Sequence, residues 1–404
     1  MANNNKHTGP NVPALRFPEF SGEWTKIKLG DLGSFFSGGT PSSSRKDFYG
    51  GEIPFIRSGE LHSDSTALSI TKEAYDSCSA KMVNKGDLLL ALYGATSGDI
   101  SISRISGAIN QAILCIRPQY MDAYFIKSLW EKHKKHILKT YLQGGQGNLS
   151  SEIIKNISFF FPNIDEQVKI SRLIHIIDDR IETQSKIIEE LKTLRGALVD
   201  TYINDGNNNN ENQTIMSLGA YGCFVRGLTY SSVDVTDNTA TTGVVRSNNL
   251  EYGSPVDIKT DLVYVTKKPS PEQMLVNGDI VICMANGSSS LVGKASNYQE
   301  LCRNMTVGAF CGIYRGTHPL TKWIFMSSAY CKAVANAIQG GNGAIANLHA
   351  EDILSMCFAV PSDYKTITEL GKLLSLFDEK LHAAEEQLAR FIEQKKYFLF
   401  KMFI

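Results

Sequence analysis

Few residues in this chain have the types and spacing that chemistry requires. The segment GSSSLVGKA (287–295) resembles a loop that cradles a nucleotide phosphate. Five residues separate Gly287 from Gly293 where four are required, and Ala295 stands where a magnesium-binding hydroxyl is needed. The loops GGQG (144–147) and GGNG (340–343) do not complete a dinucleotide fingerprint. No Asn-Pro-Pro-aromatic or Asp-Pro-Pro-aromatic motif of amino-methyltransferases occurs, because the chain has no Pro-Pro. His133 and His136 lie one helical turn apart, as a metal pair would. Lys132, Lys134 and Lys135 surround them and no carboxylate or cysteine completes a ligand set, so they read as a solvated helix face. Lys132, Lys135 and Lys139 share one side of that helix, a spacing suited to tracking a phosphate backbone; the second half of the chain offers only Lys322 and Lys332 there.

Bulk properties narrow the classes further. The 404 residues suit two domains, each large enough for its own core. Forty-one basic and 41 acidic residues cancel, which argues against coating nucleic acid by charge alone and leaves local basic patches open. The eight cysteines (78, 115, 223, 283, 302, 311, 331 and 357) form no C-x-x-C pair and read as reduced core residues. Neither a membrane span nor a signal peptide is supported, so the expected location is the cytoplasm.

What must position any functional residue is a duplicated scaffold. LGDLGSFFSGGTP (29–41) pairs with LGAYGCFVRGLTY (218–230), and IPFIRSGEL (53–61) with TGVVRSNNL (242–250). Arg57 and Ser58 therefore correspond to Arg246 and Ser247. VNKGDLLLALYGATSG (83–98) pairs with VNGDIVICMANGSSS (276–290), and INQAILCIRP (109–118) with NMTVGAFCGIYRG (304–316). Buried strands open on Gly-Asp turns, helices are expected over 123–143 and 321–339, and a Gln-Gly-Gly loop follows each helix.

Each half then ends in a long helix. Apolar residues at 170, 174, 177, 181, 188, 191, 198 and 202 recur in steps of four and three, interrupted by Gln184 and Arg195. The same positions plus 200 are again apolar, and Ala384 and Lys395 fill the two exceptional slots. A 3.5-residue spacing held over about four heptads marks a coiled-coil seam. The expected domains are 1–163, strand-rich; 164–203, a long helix; 204–214, a flexible linker; 215–362, a second strand-rich domain; and 363–404, a second long helix. The fold class is α+β: two pseudo-symmetric strand-rich domains separated by two long helices that form an antiparallel coiled coil.

The segments LRFPEFSGEWTKIKLGDL, GGTPS, IPFIRSGEL, GDLLLALYGAT, INQAILCIRP, QGGQGNLS and FFFPNIDEQVKISRLIHIID resemble the specificity subunit of Type I restriction-modification enzymes. The likeness spans the chain and is stronger in the first half; the second has CMANGSSS for LYGAT and TVGAFCG for NQAILC. The resemblance implies a non-catalytic, sequence-specific DNA-binding protein. Each strand-rich domain would be a target recognition domain reading one half of a bipartite site on double-stranded DNA. The helices would space the readers and dock two methyltransferase subunits, through which restriction and translocase subunits join. It implies no cofactor in this chain; S-adenosylmethionine, ATP and magnesium would belong to the partners.

Under that resemblance, Arg57 with Ser58 and Arg246 with Ser247 and Asn248 become candidates for base or phosphate contact, or alternatively braces held by a carboxylate. The polar loops Tyr93–Ser97, with Tyr93 and Thr96, and Asn286–Ser290, with Asn286 and Ser288, are candidate reading tips. Gln143, Gly144, Gly145, Gln146 and Asn148, with Gln339, Gly340, Gly341 and Asn342, either let backbone approach a phosphate or form a helix stop and a turn capped by Ser150 and Asn347. Two rivals stand beside this reading: a stand-alone DNA endonuclease or methyltransferase, and a protein-interaction scaffold with no role on DNA.

Overall fold

Short continuous apolar runs become central strands. Leu88–Ala91 and Ile280–Cys283 are wholly buried, as such runs require. A computed structural model describes residues 11–141, 148–205, 212–299, 304–338 and 346–404. The chain divides into two units, Met1–Ser185 with Glu386–Ile404, and Lys186–Glu385.

In the first unit, one four-stranded antiparallel sheet runs in the order Gly33–Ser37, Ile113–Pro118, Leu88–Ala91, Ile100–Ile102. A second four-stranded sheet has the order Ser69–Ile70, Tyr49–Ile56, Gly107–Ile109, Lys81–Val83, with its two middle strands parallel. The second unit has the same plan. Gly222–Arg226, Cys311–Gly316, Ile280–Cys283 and Ala295–Asn297 form one sheet. Val235–Thr236, Val263–Val265, Thr242–Val245 and Met305–Val307 form the other, whose parallel pair, Thr242–Val245 with Met305–Val307, lies at one edge.

A two-stranded clamp ties the start of each unit to the strand before its long helix: Thr25–Lys28 on Ser158–Phe161, and Gln213–Ser217 on Cys357–Pro361. The expected linker is thus shorter at its end, because Gln213 and Thr214 already pair with Pro361 and Val360. The expected helix at 321–339 is two pieces, Thr321–Ile324 and Ser328–Ile338. Buried Ser327 causes the break: its Oγ accepts the Tyr330 amide at 3.1 Å and so starts the second piece as a cap.

The long helices run Ile164–Tyr202 and Tyr364–Met402. Asn163 Oδ1 accepts the Glu166 amide at 2.9 Å and Asp363 Oδ2 the Thr366 amide at 2.8 Å, so both helices open on the same cap. Pairing is antiparallel in each unit by itself. In the first, Asp178 meets Lys395 at 2.8 Å and the Arg180 guanidinium lies 5.9 Å from the Phe391 ring. In the second, Lys192 meets Glu385 at 3.2 Å and Arg195 meets Asp378 at 2.5 Å.

Each unit's core therefore takes in parts of both helices. Ile170, Ile174, Met402 and Phe403 lie with Trp24, Phe125 and Trp130 in the first; Val199, Ile203, Leu370 and Leu374 lie with Trp323 and Tyr330 in the second. The expected seam position Tyr202 is exposed. Straight α-helix drifts against a 3.5 repeat, and the last turn seats Val199 and Ile203 on the globular core instead.

Candidate functional site

Each unit turns the same hairpin toward its polar tip. The Ala91 amide bonds the Asp99 carbonyl and the Gly98 amide the Ala91 carbonyl, each at 2.8 Å; Cys283, Lys294 and Gly293 repeat both bonds. Trp130 Nε1 donates to the Gly98 carbonyl at 2.8 Å, and Tyr330 OH to the Gly293 carbonyl at 2.7 Å. Both glycines have positive φ, 75° and 81°, and a Cβ there would meet Leu138 or Val334. A helix thus pins the base of each tip by one aromatic donor and one close-packed glycine. Across the tip, Leu149 N bonds the Leu92 carbonyl and Leu348 N the Met284 carbonyl, both at 2.8 Å.

A second repeated support went unread in the sequence beyond its Gly-Asp turn. Arg117 grips Asp87, with Nη2 to Oδ2 at 2.6 Å, and Arg315 grips Asp279 with the same atoms at 2.7 Å. Each Asp also takes a turn amide, from Asn84 or Val276, at 2.8 and 2.9 Å. Asp279 is 1% exposed as a side chain. These pairs fix the strand pair beneath the tips.

The candidate residues fall on this frame unequally. Arg57 follows the strand Tyr49–Ile56 and is braced: Nε lies 3.1 Å from Glu60 Oε2 and Nη2 3.2 Å from Oε1. Burial pushes the Glu60 carboxyl up, but Arg57 and the amides of Ala67 and Arg57 outweigh it and hold the group below the usual carboxylate range. The Arg57 side chain is still 45% exposed.

Arg246 occupies the matching slot after Thr242–Val245, but Asn249 replaces the carboxylate. Asn249 Oδ1 accepts the Arg246 backbone amide at 2.9 Å, and its Nδ2 donates to the Thr260 carbonyl at 2.8 Å. Among the described residues the Arg246 guanidinium has one bond, Nη2 to the Asp261 carbonyl at 2.8 Å, and its buried Nε has no partner.

One tip residue meets an Arg-Ser slot directly. Asn286 Nδ2 reaches Ser247 Oγ at 3.3 Å, while its Oδ1 accepts the Ser288 amide at 3.0 Å. Asn248 is exposed beside them. In the first unit the polar link is different: the Thr40 hydroxyl donates to Gln111 Oε1 at 2.5 Å, and burial raises the pKa of the Tyr93 hydroxyl above the ordinary tyrosine value. Ser58 and Thr96 are half-buried, and the Thr96 carbonyl accepts the Asp99 amide at 2.9 Å. Gln111 and Thr40 were not among the expected site residues; their neighbours GGTP and INQA were the available signal.

Asn148 is exposed next to buried Leu149. Gln143, Gly144, Gly145 and Gln146, with Gln339, Gly340, Gly341 and Asn342, lie outside the described residues. Ser150 does cap the helix Ser151–Asn156. Asn347 is not the N-cap of the following helix: it pairs with Ala285 in a two-residue strand, and His349 opens the helix Ala350–Ser355.

The lysine stripe is partly structural. Lys132 Nζ donates to the Phe403 carbonyl at 2.5 Å and burial lowers its pKa, while His133 Nε2 hydrogen-bonds the Ile404 carbonyl at 2.9 Å. Lys135 and Lys139 remain exposed. Among the described residues no cluster of three metal-ligating side chains occurs, and no helix is long and apolar enough to cross a membrane.

Comparison with known proteins places these features. Residues 21–193 match the Type I restriction modification DNA specificity domain. The chain is 28% identical over 183 residues to the Type I restriction enzyme MjaIX specificity subunit of Methanocaldococcus jannaschii, covering 43% of this chain and 42% of the relative. It is 28% identical over 192 residues to the EcoKI specificity subunit of Escherichia coli K12, covering 46% of this chain and 40% of that one. The chain thus matches less than half the length of these curated relatives. Its fold is that of the Type-I restriction-modification system S subunit from M. genitalium, with a TM-score of 0.62 at 15% identity, over 97% of this chain and 99% of the other.

Proposed function

From the match of residues 21–193 to the Type I restriction modification DNA specificity domain, we propose a sequence-specific, non-catalytic specificity subunit of a Type I restriction-modification complex, acting in the cytoplasm. Each unit reads one half of a bipartite site on double-stranded DNA. One observation carries this reading: two copies of one scaffold keep their supports and vary their tips. The Arg117–Asp87 and Arg315–Asp279 grips and the Trp130 and Tyr330 anchors are alike. By contrast Tyr93, Gln111, Ala112 and Glu60 in one copy give way to Ala285, Ala309, Phe310 and Asn249 in the other. A rigid base with a variable tip is how a fold reads different sequences.

Partner docking is assigned to the outer faces of the long helices. Ile164 and Ile176 are 44% and 45% exposed, and Tyr364 and Leu376 at the matching positions are 77% and 54% exposed; Val168 and Leu373 nearby add 49% and 44%. In the second unit this face borders a cleft of about 670 Å³ beside Trp323 and Ile367. A repeated apolar stripe fits two copies of one partner, and the reading gives each to a methyltransferase subunit, with restriction and translocase subunits joining through it. S-adenosylmethionine, ATP and magnesium then belong to those partners.

Methylome sequencing of cells with and without the gene, joined to mobility shifts of the purified complex, tests the reading. Loss of one bipartite methylated motif, bound by the complex in vitro, is expected. Cleavage or methylation by the purified chain alone would overturn it, as would a complex with no preference for any DNA. For docking, Ile176→Glu and Leu376→Glu should each reduce the methyltransferase subunits co-purified while leaving helix content unchanged.

A further inference from the structure

The turn Gly308–Cys311 closes with the Cys311 amide on the Gly308 carbonyl at 2.8 Å. Phe310 sits on that turn and is 69% exposed. Its backbone is held firmly: the Phe310 carbonyl accepts the amides of Met284 and Ala285 at 2.8 and 3.2 Å. In the first unit the equivalent carbonyl, bonded to the Leu92 amide at 2.8 Å, belongs to Ala112, a buried residue 5% exposed. Packing therefore does not account for an aromatic ring in this slot, since the same turn is built with a methyl group.

Its surroundings point to a ligand. Ala285, bonded to Phe310, precedes Asn286, which bonds Ser247. Two residues before Phe310, Gly308 lies under Arg246, whose Cγ is 3.8 Å from a Cβ built there. Arg246 is the arginine whose buried Nε has no partner. An exposed ring on a rigid turn thus adjoins donors left unsatisfied and two polar side chains suited to base edges.

We infer that Phe310 is an apolar wedge that enters the DNA at a base step of the half-site read by the second unit, with Arg246 and Asn286 supplying polar contacts beside it. The inference rests on the DNA-reading proposal above. Wedging side chains unstack a step and so depend on how easily that step deforms. The first unit, with Ala112 there, has no such wedge.

The test uses the full complex with methyltransferase subunits and duplexes carrying 2-aminopurine, one position at a time, through both half-sites of the methylome-defined target. Wild type should raise fluorescence severalfold at one step of one half-site. Phe310→Ala should abolish that rise and weaken binding about tenfold, while Phe310→Leu keeps much of both. The dependence of log affinity on log salt should not change, because no phosphate contact is lost. A rise that persists in Phe310→Ala overturns the assignment, as does the absence of any rise in wild type with the variant binding within twofold. A wild-type complex that shows no sequence preference fails the DNA reading itself, and this assignment with it.

Discussion

Arg195 and Asp378 meet at 2.5 Å in the second unit, and Lys395 and Asp178 meet at 2.8 Å in the first, so the charged interruption of each helix's apolar seam lands on an aspartate of the other. Both sites recruit a further lysine from the globular part. Lys322 joins Asp378, and Lys127 joins Asp178 at 3.1 Å and Glu131 at 2.8 Å. The Arg195 and Asp378 side chains are 13% and 22% exposed, so removing one partner strands a poorly solvated charge.

Asp378→Leu alone should therefore destabilise the second unit by about 3 kcal/mol. The double change Arg195→Met with Asp378→Leu should recover much of that loss, because no charge of the pair is then left uncompensated. Hydrogen exchange of peptides from 186–202 and 364–385 measures both. Equal protection in the single variant and wild type would show that the pair contributes nothing.

Much of this frame was legible in the sequence, and the pair shows where legibility ended. Positions 170, 174, 177, 188, 370, 374 and 381 of the apolar seam are buried, because periodicity reports a buried face directly. Arg195 and Lys395 stood out only as exceptions, since an ion pair across helices has no local signature. The strand pattern and the Gly-Asp turns were equally open to reading. Arg117 with Asp87 was not, because its two halves are thirty residues apart and join only when the sheet forms. Phe310 was hidden for the opposite reason: in sequence an aromatic among apolar residues reads as core. The Ser327 break was masked by a helical pattern on both sides, and only its hydroxyl's bond to the Tyr330 amide reveals the cap.

Acid should weaken the first unit partly through Asp178. Burial alone would push this carboxyl up, yet Lys127, Lys395 and the Tyr124 hydroxyl hold it below the ordinary value. A depressed carboxylate stabilises the fold fully above its unfolded pKa, about 4, and loses that contribution as pH falls through the folded value. Lys395 has the opposite sign. Burial lowers it, but Glu131 and Asp178 raise it above the ordinary lysine value, so its contribution is complete at neutral pH and lost only in strong alkali. The stability lost between pH 7 and pH 3 should be smaller in Asp178→Asn than in wild type. Urea midpoints from Trp24 and Trp130 fluorescence, after Trp323→Phe, measure it; an unchanged difference would remove Asp178 from the acid response.

The two tip glycines should differ in their tolerance of alanine. Gly98 and Gly293 share the left-handed conformation, which adds about 1–2 kcal/mol of strain to either substitution. Their neighbours differ. A Cβ at Gly98 meets the end of the flexible Leu138 side chain at 2.8 Å, whereas one at Gly293 meets both Val334 methyls, the nearer at 2.3 Å. Valine in a helix has essentially one rotamer and cannot step aside. Gly293→Ala should lower the unfolding midpoint of its unit by clearly more than Gly98→Ala does in the other, and Val334→Ala should rescue part of the loss. Equal effects would mean that backbone strain alone governs both sites.

The two arginines of the repeated slot should separate on DNA. Arg57 is held by Glu60 through two charge-assisted bonds, so its guanidinium is fixed on that carboxylate and its removal leaves the carboxylate without its arginine. Arg246 faces Asn249 instead and keeps donors free. Arg246→Ala should weaken binding about tenfold or more and relax discrimination within one half-site, the range for losing a base-directed arginine. Arg57→Ala should show mainly a stability loss, with selectivity at the other half-site preserved. Glu60→Gln should loosen Arg57 and raise affinity for DNA of any sequence, because a freed guanidinium adds phosphate attraction without reading bases. Competition binding with single-base variants of each half-site distinguishes these outcomes. If Arg57→Ala relaxes selectivity as much as Arg246→Ala does, the brace does not withdraw Arg57 from recognition, and the two units read DNA through the same slot.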